Sequence, residues 1–494
     1  MRKHERIISG IMTVCLMGSS FFIPEMPLRA SAESYKYESL KYDFAGDGNI
    51  KITGCDKSVT SVDIPEEIDG IKVTGIGYYA FANCENLEEI KIPESVTVIN
   101  TGAFSGCKNL TEITLPESIM DIENSTFYGC KSLKEIAVPD GVKNIGGSAF
   151  SECTGLEKIT LSDSVENIYI SALNGCTALM SIDVPESNTY YSSIDGILFN
   201  KDKSEIVRYC TALSDKSYAV PESVKIIGDY AFSGCNSLEE IKIPESVESI
   251  GVGAFSECKN ITEMTIPESV GNIGDKAFKN CKNLISVNIP ECIRNINNEV
   301  FFNCVSLEAI ELPEGLETIG AKAFQLCQTL KKVDIPENVE SIGYYAFYEC
   351  TGLKTIEIPK SVKFIDNYAF AKCDLSKVTI FSSDCELRPT SIDNMNATKS
   401  IKVYGYEDST AHEYCRRPGY QFFTLSEITG KILGDLNGDN LLGSLDLKIL
   451  REYILNGTET GIVEWRNADF NGDGVLDIFD YCLMNHKIVK GGWS

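Results

Sequence analysis

The dipeptide Ala80-Phe81 returns as Ala103-Phe104, Ala149-Phe150, Ala231-Phe232, Ala254-Phe255, Ala277-Phe278, Ala323-Phe324, Ala346-Phe347 and Ala369-Phe370, with looser copies at Phe127, Leu173 and Phe301. The period is 23 residues throughout except between Leu173 and Phe232, where 59 residues make two periods of 23 plus an insertion of 13. A fixed period of this length constrains the chain more than any other feature, because each period must build the same small unit.

Within a period the pattern is Ala-Phe-x-x-Cys-x-x-Leu-x-x-Ile-x-Ile-Pro-Glu-Ser-Val-x-x-Ile-Gly. Ile90 and Ile92 alternate as a strand does, and Pro93 stops that strand because proline has no N–H for a ladder. Val96 and Ile99 turn inward again, and Phe104 with Cys107 brings the chain back to the start of the next strand. One period therefore makes one coil. A coil of this size cannot bury its own apolar side chains, so neighbours must stack with their short strands parallel, about 4.8 Å apart. The expected fold is mainly β, a solenoid of 23-residue coils with short parallel strands.

Twelve of the nineteen cysteines, from Cys84 and Cys107 to Cys350 and Cys373, fall at one repeat position. They read as a buried column of small soft side chains rather than a metal or disulfide ladder, since no Cys-x-x-Cys or Cys/His zinc spacing occurs. Glutamate follows the repeat proline at Glu94, Glu117, Glu245, Glu268 and elsewhere. Carboxylates about 5 Å apart repel by ~0.8 kcal/mol even in water, so this stripe is expected to stay solvated. Tyr79, Tyr230, Tyr345 and Tyr368, with Tyr78 and Tyr344 beside two of them, precede Ala-Phe and fit either sugar stacking or packing between coils. The insertion holds Ile194-Asp195-Gly196-Ile197, a two-residue hairpin signal, and is a candidate partner contact.

These repeats resemble the BspA-like leucine-rich repeats of bacterial surface antigens, from about Tyr35 to Leu425. Ile68-Asp69-Gly70 looks like that family's opening unit, and Tyr404-Gly405-Tyr406, Ser409-Thr410-Ala411 and Gly419-Tyr420-Gln421-Phe422 like its closing unit. The resemblance implies adhesion and contact with a protein or glycan, with no reaction attached to the fold.

After Ser426 the period vanishes. Asp435, Asn437, Asp439, Leu441 and Asp446 occupy positions 1, 3, 5, 7 and 12 of a twelve-residue loop. A second copy begins 34 residues later with Asp469, Asn471, Asp473, Val475, Asp477 and Asp480. Calcium takes about six to eight hard oxygen ligands, and this spacing wraps them around one ion, with Leu441 and Val475 giving backbone carbonyls. Two calcium ions are expected. Apolar spacing at Leu447, Leu450, Tyr453 and Ile454 predicts a helix leaving the first loop, and Leu483, Met484, Ile488 and Val489 another after the second. The short, glycine-bounded Gly430–Gly434 leaves no room for an entering helix.

A duplicated loop-helix unit with aspartate at position 12 resembles the dockerin family over about Lys431 to Lys490. The resemblance implies calcium-dependent docking into a cohesin module of a scaffoldin, within a cellulosome that degrades plant polysaccharide. It places cohesin contact on Ser444, Leu445, Arg451 and Glu452 in the first copy, and on Ile478, Phe479, Asn485 and His486 in the second. The two faces differ in sequence, which argues against docking in two rotated orientations.

Residues 1–32 read as a signal peptide: a basic start at Arg2, Lys3 and Arg6, an apolar run, and Ala30-Ser31-Ala32 before Glu33. The expected organisation is signal peptide 1–32, repeat solenoid with opening and closing units 33–428, and dockerin-like domain 429–494. A net charge of -26 repels phosphate and excludes a nucleic-acid partner, and no later segment has the ~18 apolar residues of a membrane span. His412 and His486, the histidines left after Ala32, have no partner cluster, and no phosphate-binding or dinucleotide motif occurs. The leading expectation is a secreted, non-catalytic cellulosome component. The alternatives are a glycoside hydrolase working through a carboxylate pair, or a free cell-surface adhesin.

Overall fold

The computed structural model describes residues 35–392, 400–425, 447–451 and 454. The chain divides into two compact units, one of residues 1–290 with 299–304, the other of 291–298 with 305–494. Both are built of the same coil.

The coil carries two parallel ladders where the sequence predicted one. The Ile90 position forms strands of two to four residues, such as Glu89–Lys91 paired with Ser61–Asp63 and Glu112–Ile113. The Ile99 position forms a second run of two-residue strands. In the first unit Asp121–Ile122, Asn144–Ile145 and Asn167–Ile168 pair in register, and in the second Thr318–Ile319, Ser341–Ile342 and Phe364–Ile365 do so. Pairing partners lie one period apart, so isoleucine stacks on isoleucine.

The Ala-Phe turn makes a third row of coil-to-coil bonds that is neither helix nor strand. Tyr79, Phe81 and Asn83 donate their backbone N–H groups to Thr101, Ala103 and Ser105 of the next coil, at 3.2, 2.8 and 2.7 Å. To aim two of those N–H groups the turn holds two residues at positive φ, the one before Ala and the one before Cys. Tyr79 and Asn83 are at 54° and 56°, Gly102 and Gly106 at 67° and 75°, Tyr345 and Glu349 at 57° and 60°. At the end of the Ile99-type strands the glycine N–H groups point the other way: Gly146 and Gly343 donate back to Ile122 and Ile319 of the preceding coil.

The core is a stack of identical layers. Phe81, Phe104, Phe127 and Phe150 lie ring on ring, with centroids 5.4 to 5.5 Å apart and planes within 14°. Phe324, Phe347 and Phe370 repeat this in the second unit at 5.1 Å. The twelve repeat cysteines are buried, as the sequence predicted. Nine of them donate S–H to the phenylalanine carbonyl 26 residues earlier, for example Cys107 to Phe81 at 3.1 Å and Cys373 to Phe347 at 2.9 Å. Burial pushes the Cys107 thiol up to about 12 and the Cys130 thiol well above its ordinary value.

The ends depart from the coil. The opening unit is an antiparallel meander, Tyr35–Tyr37, Leu40–Phe44 and Ile50–Cys55, whose last strand runs parallel to Ile71–Ile76. The closing unit is two parallel strands, Ile401–Gly405 and Tyr420–Thr424, joined across a short helix, Thr410–Tyr414, capped by Ser409. Among the described residues no helix is long and apolar enough to cross a membrane.

Candidate interaction surface

Uniform coils give uniform surfaces, and the insertion is the place where that repeat fails. In the first unit the ladder of Ile99-type strands stops at Asn167–Ile168 and resumes with Glu205–Arg208, which pairs with Ile226–Ile227. The insertion lies between. As its Asp-Gly pair predicted, Tyr191–Ile194 and Ile197–Asn200 form an antiparallel hairpin, with Asp195 and Gly196 both at positive φ as that turn requires.

Side chains replace the missing backbone partners. The Ile168 N–H donates to the Tyr191 hydroxyl at 3.1 Å. Asn188, fully buried, donates to the carbonyls of Ser162 and Val165 and accepts from the N–H groups of Tyr190 and Tyr191, which fixes both tyrosines. Arg208, 4% exposed, donates to the carbonyl of Leu173 before the insertion and of Tyr230 after it, at 3.2 and 2.9 Å. It is a clamp across the break. The sequence reading missed it, because a charged residue in a strand-like run reads as outward-facing.

A groove of about 560 Å³ opens at this break. Tyr169, Ile170 and Tyr190 line it and are 59, 60 and 47% exposed. Glu205 and Asp229 also line it. Burial raises the Glu205 carboxyl above the usual carboxylate range, and the charges of Asp229 and Asp202 push it the same way. Glu166, a third carboxylate of the groove, pairs with Lys143 at 3.0 Å. Aromatic faces beside carboxylates and amides suit a polar ligand with an apolar face.

The second unit offers a tyrosine cluster. Tyr345 stacks on Tyr368 with centroids 5.0 Å apart, Tyr344 and Tyr348 meet Tyr345 edge-on, and Lys372 lies over the Tyr348 ring. Of the tyrosines before Ala-Phe, Tyr345 and Tyr368 therefore pack coil to coil, whereas Tyr79 is left exposed, as are Tyr78 and Tyr344. The glutamate stripe is exposed and also stitches the coils: Glu94 accepts from the Glu117 N–H and Glu117 from the Asp140 N–H, both at 3.1 Å. Those carboxylates serve the backbone. Among the described residues no three His, Cys, Asp or Glu side chains converge as a metal-binding set.

The calcium-loop positions from Asp435 to Asp446 and Asp469 to Asp480 lie outside the described residues, as do Ser444, Leu445, Glu452, Ile478, Phe479, Asn485 and His486. Residues 447–451 and 454 are helical, where the apolar spacing placed a helix. Leu450 is fully buried and Arg451 exposed.

Comparison with known proteins matches this architecture. A family model described as BspA type leucine rich repeat region matches residues 74–204, 204–331 and 272–402, and one described as dockerin type I domain matches 433–489. A leucine-rich repeat protein from Eubacterium ventriosum superposes with a TM-score of 0.57 at 25% identity, covering 70% of this chain and 96% of that one. Another from Bacteroides ovatus gives 0.44 at 27% identity, covering 79% and 99%. No curated protein matches. The chain belongs to the BspA type leucine-rich repeat family. It ends in a dockerin type I domain, a kind of calcium-binding module that implies a cohesin partner. Both parts are non-catalytic in kind, and together they define a protein-interaction role of the cellulosome type.

Proposed function

We propose that this is an exported, non-catalytic component of a cellulosome, held by its dockerin to a scaffoldin cohesin while the solenoid binds a protein or glycan. The duplicated loop within the dockerin match carries this reading. Each copy repeats Asp-x-Asn-x-Asp and ends in Asp at position 12, a hard-oxygen donor set for one calcium ion. Asp435, Asn437, Asp439 and Asp446 with the Leu441 carbonyl hold the first ion, and Asp469, Asn471, Asp473, Asp477 and Asp480 with the Val475 carbonyl the second. Calcium neutralises these carboxylates and orders the loops. That presents Ser444, Leu445, Arg451 and Glu452, or Ile478, Phe479, Asn485 and His486, to cohesin. Residues 1–32 direct export, and the solenoid ends near residue 428.

The full-length chain is expected to bind a subset of a cohesin panel in calcium and none in chelator, and Asp473→Ala is expected to weaken that binding. Equal binding in both conditions overturns the docking role. The first loop has three carboxylates and Gly443 where the second has four and Asp477, so calorimetry should give the second site the tighter constant. For the solenoid, the groove beside the insertion is the proposed ligand site. Retention on insoluble plant polysaccharide or on cell wall should fall at least tenfold in Tyr169→Ala with Tyr190→Ala. Unchanged retention moves the site elsewhere.

A further inference from the structure

The cysteine column follows one rule along most of its length and breaks it after the insertion, where the residue 26 before Cys235 is Tyr209, and at the first coil. The nine described donors each give S–H to a phenylalanine carbonyl 26 residues earlier. For Cys84 that position is Ser58, in an opening unit with no Ala-Phe turn. Cys84 meets another cysteine instead. Cys55, at the end of the Ile50–Cys55 strand, places its Sγ 3.0 Å from the Cys84 Sγ, with the two residues 7 and 1% exposed. Unbonded heavy atoms rest at about 3.5–4.0 Å, so these sulfurs are already within ordinary contact distance. Cys55 stands outside the 23-residue register, so the pair depends on how the opening unit docks on the first coil.

We propose that Cys55 and Cys84 form a disulfide that clasps the opening unit onto the first coil, and that it is specific to this pair among the buried cysteines. In the reaction the Cys84 thiolate attacks one sulfur of an external disulfide oxidant, either a small-molecule disulfide or an exported dithiol–disulfide oxidoreductase, and expels one thiolate. Cys55 then loses its proton and attacks the Cys84 Sγ of the mixed disulfide, expelling the second. Two protein thiols become one disulfide, and the oxidant's disulfide becomes two thiols. The hydrogen bond from Cys55 lowers the Cys84 thiol, with the Lys57 charge acting the same way, whereas interior thiols such as Cys107 and Cys130 are raised by burial.

The test is peptide mapping of the full chain, refolded with a mixture of reduced and oxidised glutathione, alkylated after denaturation without reductant, and digested. The expected product is a linked pair of peptides containing Cys55 and Cys84, two mass units lighter than the sum of the free peptides, with the interior column cysteines alkylated. In Cys55→Ser, Cys84 should be alkylated in full. Reductant should speed amide exchange in Leu40–Phe44 and Ile50–Cys55 by about 100-fold in the parent chain and leave Cys55→Ser unchanged. Alkylation of both cysteines in the parent chain, or linkage of Cys84 to Cys107, overturns the proposal. So does equal sensitivity of both proteins to reductant.

Discussion

The regular coils and the stretch from Asn188 to Arg208 meet the same demand by opposite means. In the coils the backbone groups bond either within their own turn or to the matching turn of the adjacent coil, so one short sequence, repeated, satisfies itself. At the insertion no copy is in reach, and three side chains, Asn188, Tyr191 and Arg208, take over the missing bonds one by one. Repetition yields a continuous core and a monotonous surface. The interruption needs individually chosen residues and yields the groove.

Breaking the regular part should cost most. Phe127→Ala removes a fully buried ring from the middle of a stack and is expected to destabilise the first unit by about 3–5 kcal/mol in urea titration, and Phe104 and Phe150 lose their stacking partner with it. Arg208→Ala comes next. It strips the Leu173 and Tyr230 carbonyls of their donors and should cost about 2–3 kcal/mol, with faster amide exchange confined to the coils flanking the insertion. A glycine pair isolates the turn itself. Gly102 and Gly129 share a positive φ of 67° and 68°, but a Cβ at Gly102 would lie 2.3 Å from the Tyr79 ring while one at Gly129 meets nothing within 4 Å. Gly129→Ala should cost about 1–2 kcal/mol, the penalty of the left-handed backbone alone, and Gly102→Ala more.

The smallest effect is electrostatic. The Glu205 carboxyl is raised in the folded state, so the fold binds its proton more tightly than the unfolded chain does. Its ionised form therefore weakens the fold above that raised value, and the penalty fades as pH falls through it. Glu205→Gln should be slightly more stable than the parent at pH 7, and the two should converge toward pH 4. A constant difference across that range would place the effect in packing rather than charge.

The coil was legible because its buried positions recur: Leu87, Ile90, Val96, Ile99, Phe104 and Cys107 are all buried, as their spacing required. The hairpin at Asp195-Gly196 and the helical start after Asp446 were legible from local turn and apolar patterns. The second ladder was not, since a two-residue strand is too short to show alternation. The paired left-handed residues were also invisible, because Tyr79, Glu152 and Leu326 hold conformations usually left to glycine. Bonds to the next coil offset that cost: Glu152 donates to Asn174 and Leu326 to Tyr348, each at 2.8 Å. The Cys55 and Cys84 contact could not be read from spacing, as only one of the two keeps the register. The calcium loops and, apart from Arg451, the cohesin face lie outside the described residues.

Two rows of coil-to-coil bonds run in opposite senses. In the Ala-Phe turn the N–H groups point toward the next coil, and on the Ile-Gly ladder they point toward the previous one. In an α-helix all peptide dipoles align, and partial charge gathers at the two ends. Here the two columns run head to tail and oppose each other. Bonds of opposite sense partly offset one another, so each added coil adds less to the field at the ends of the stack than each added turn does in a helix.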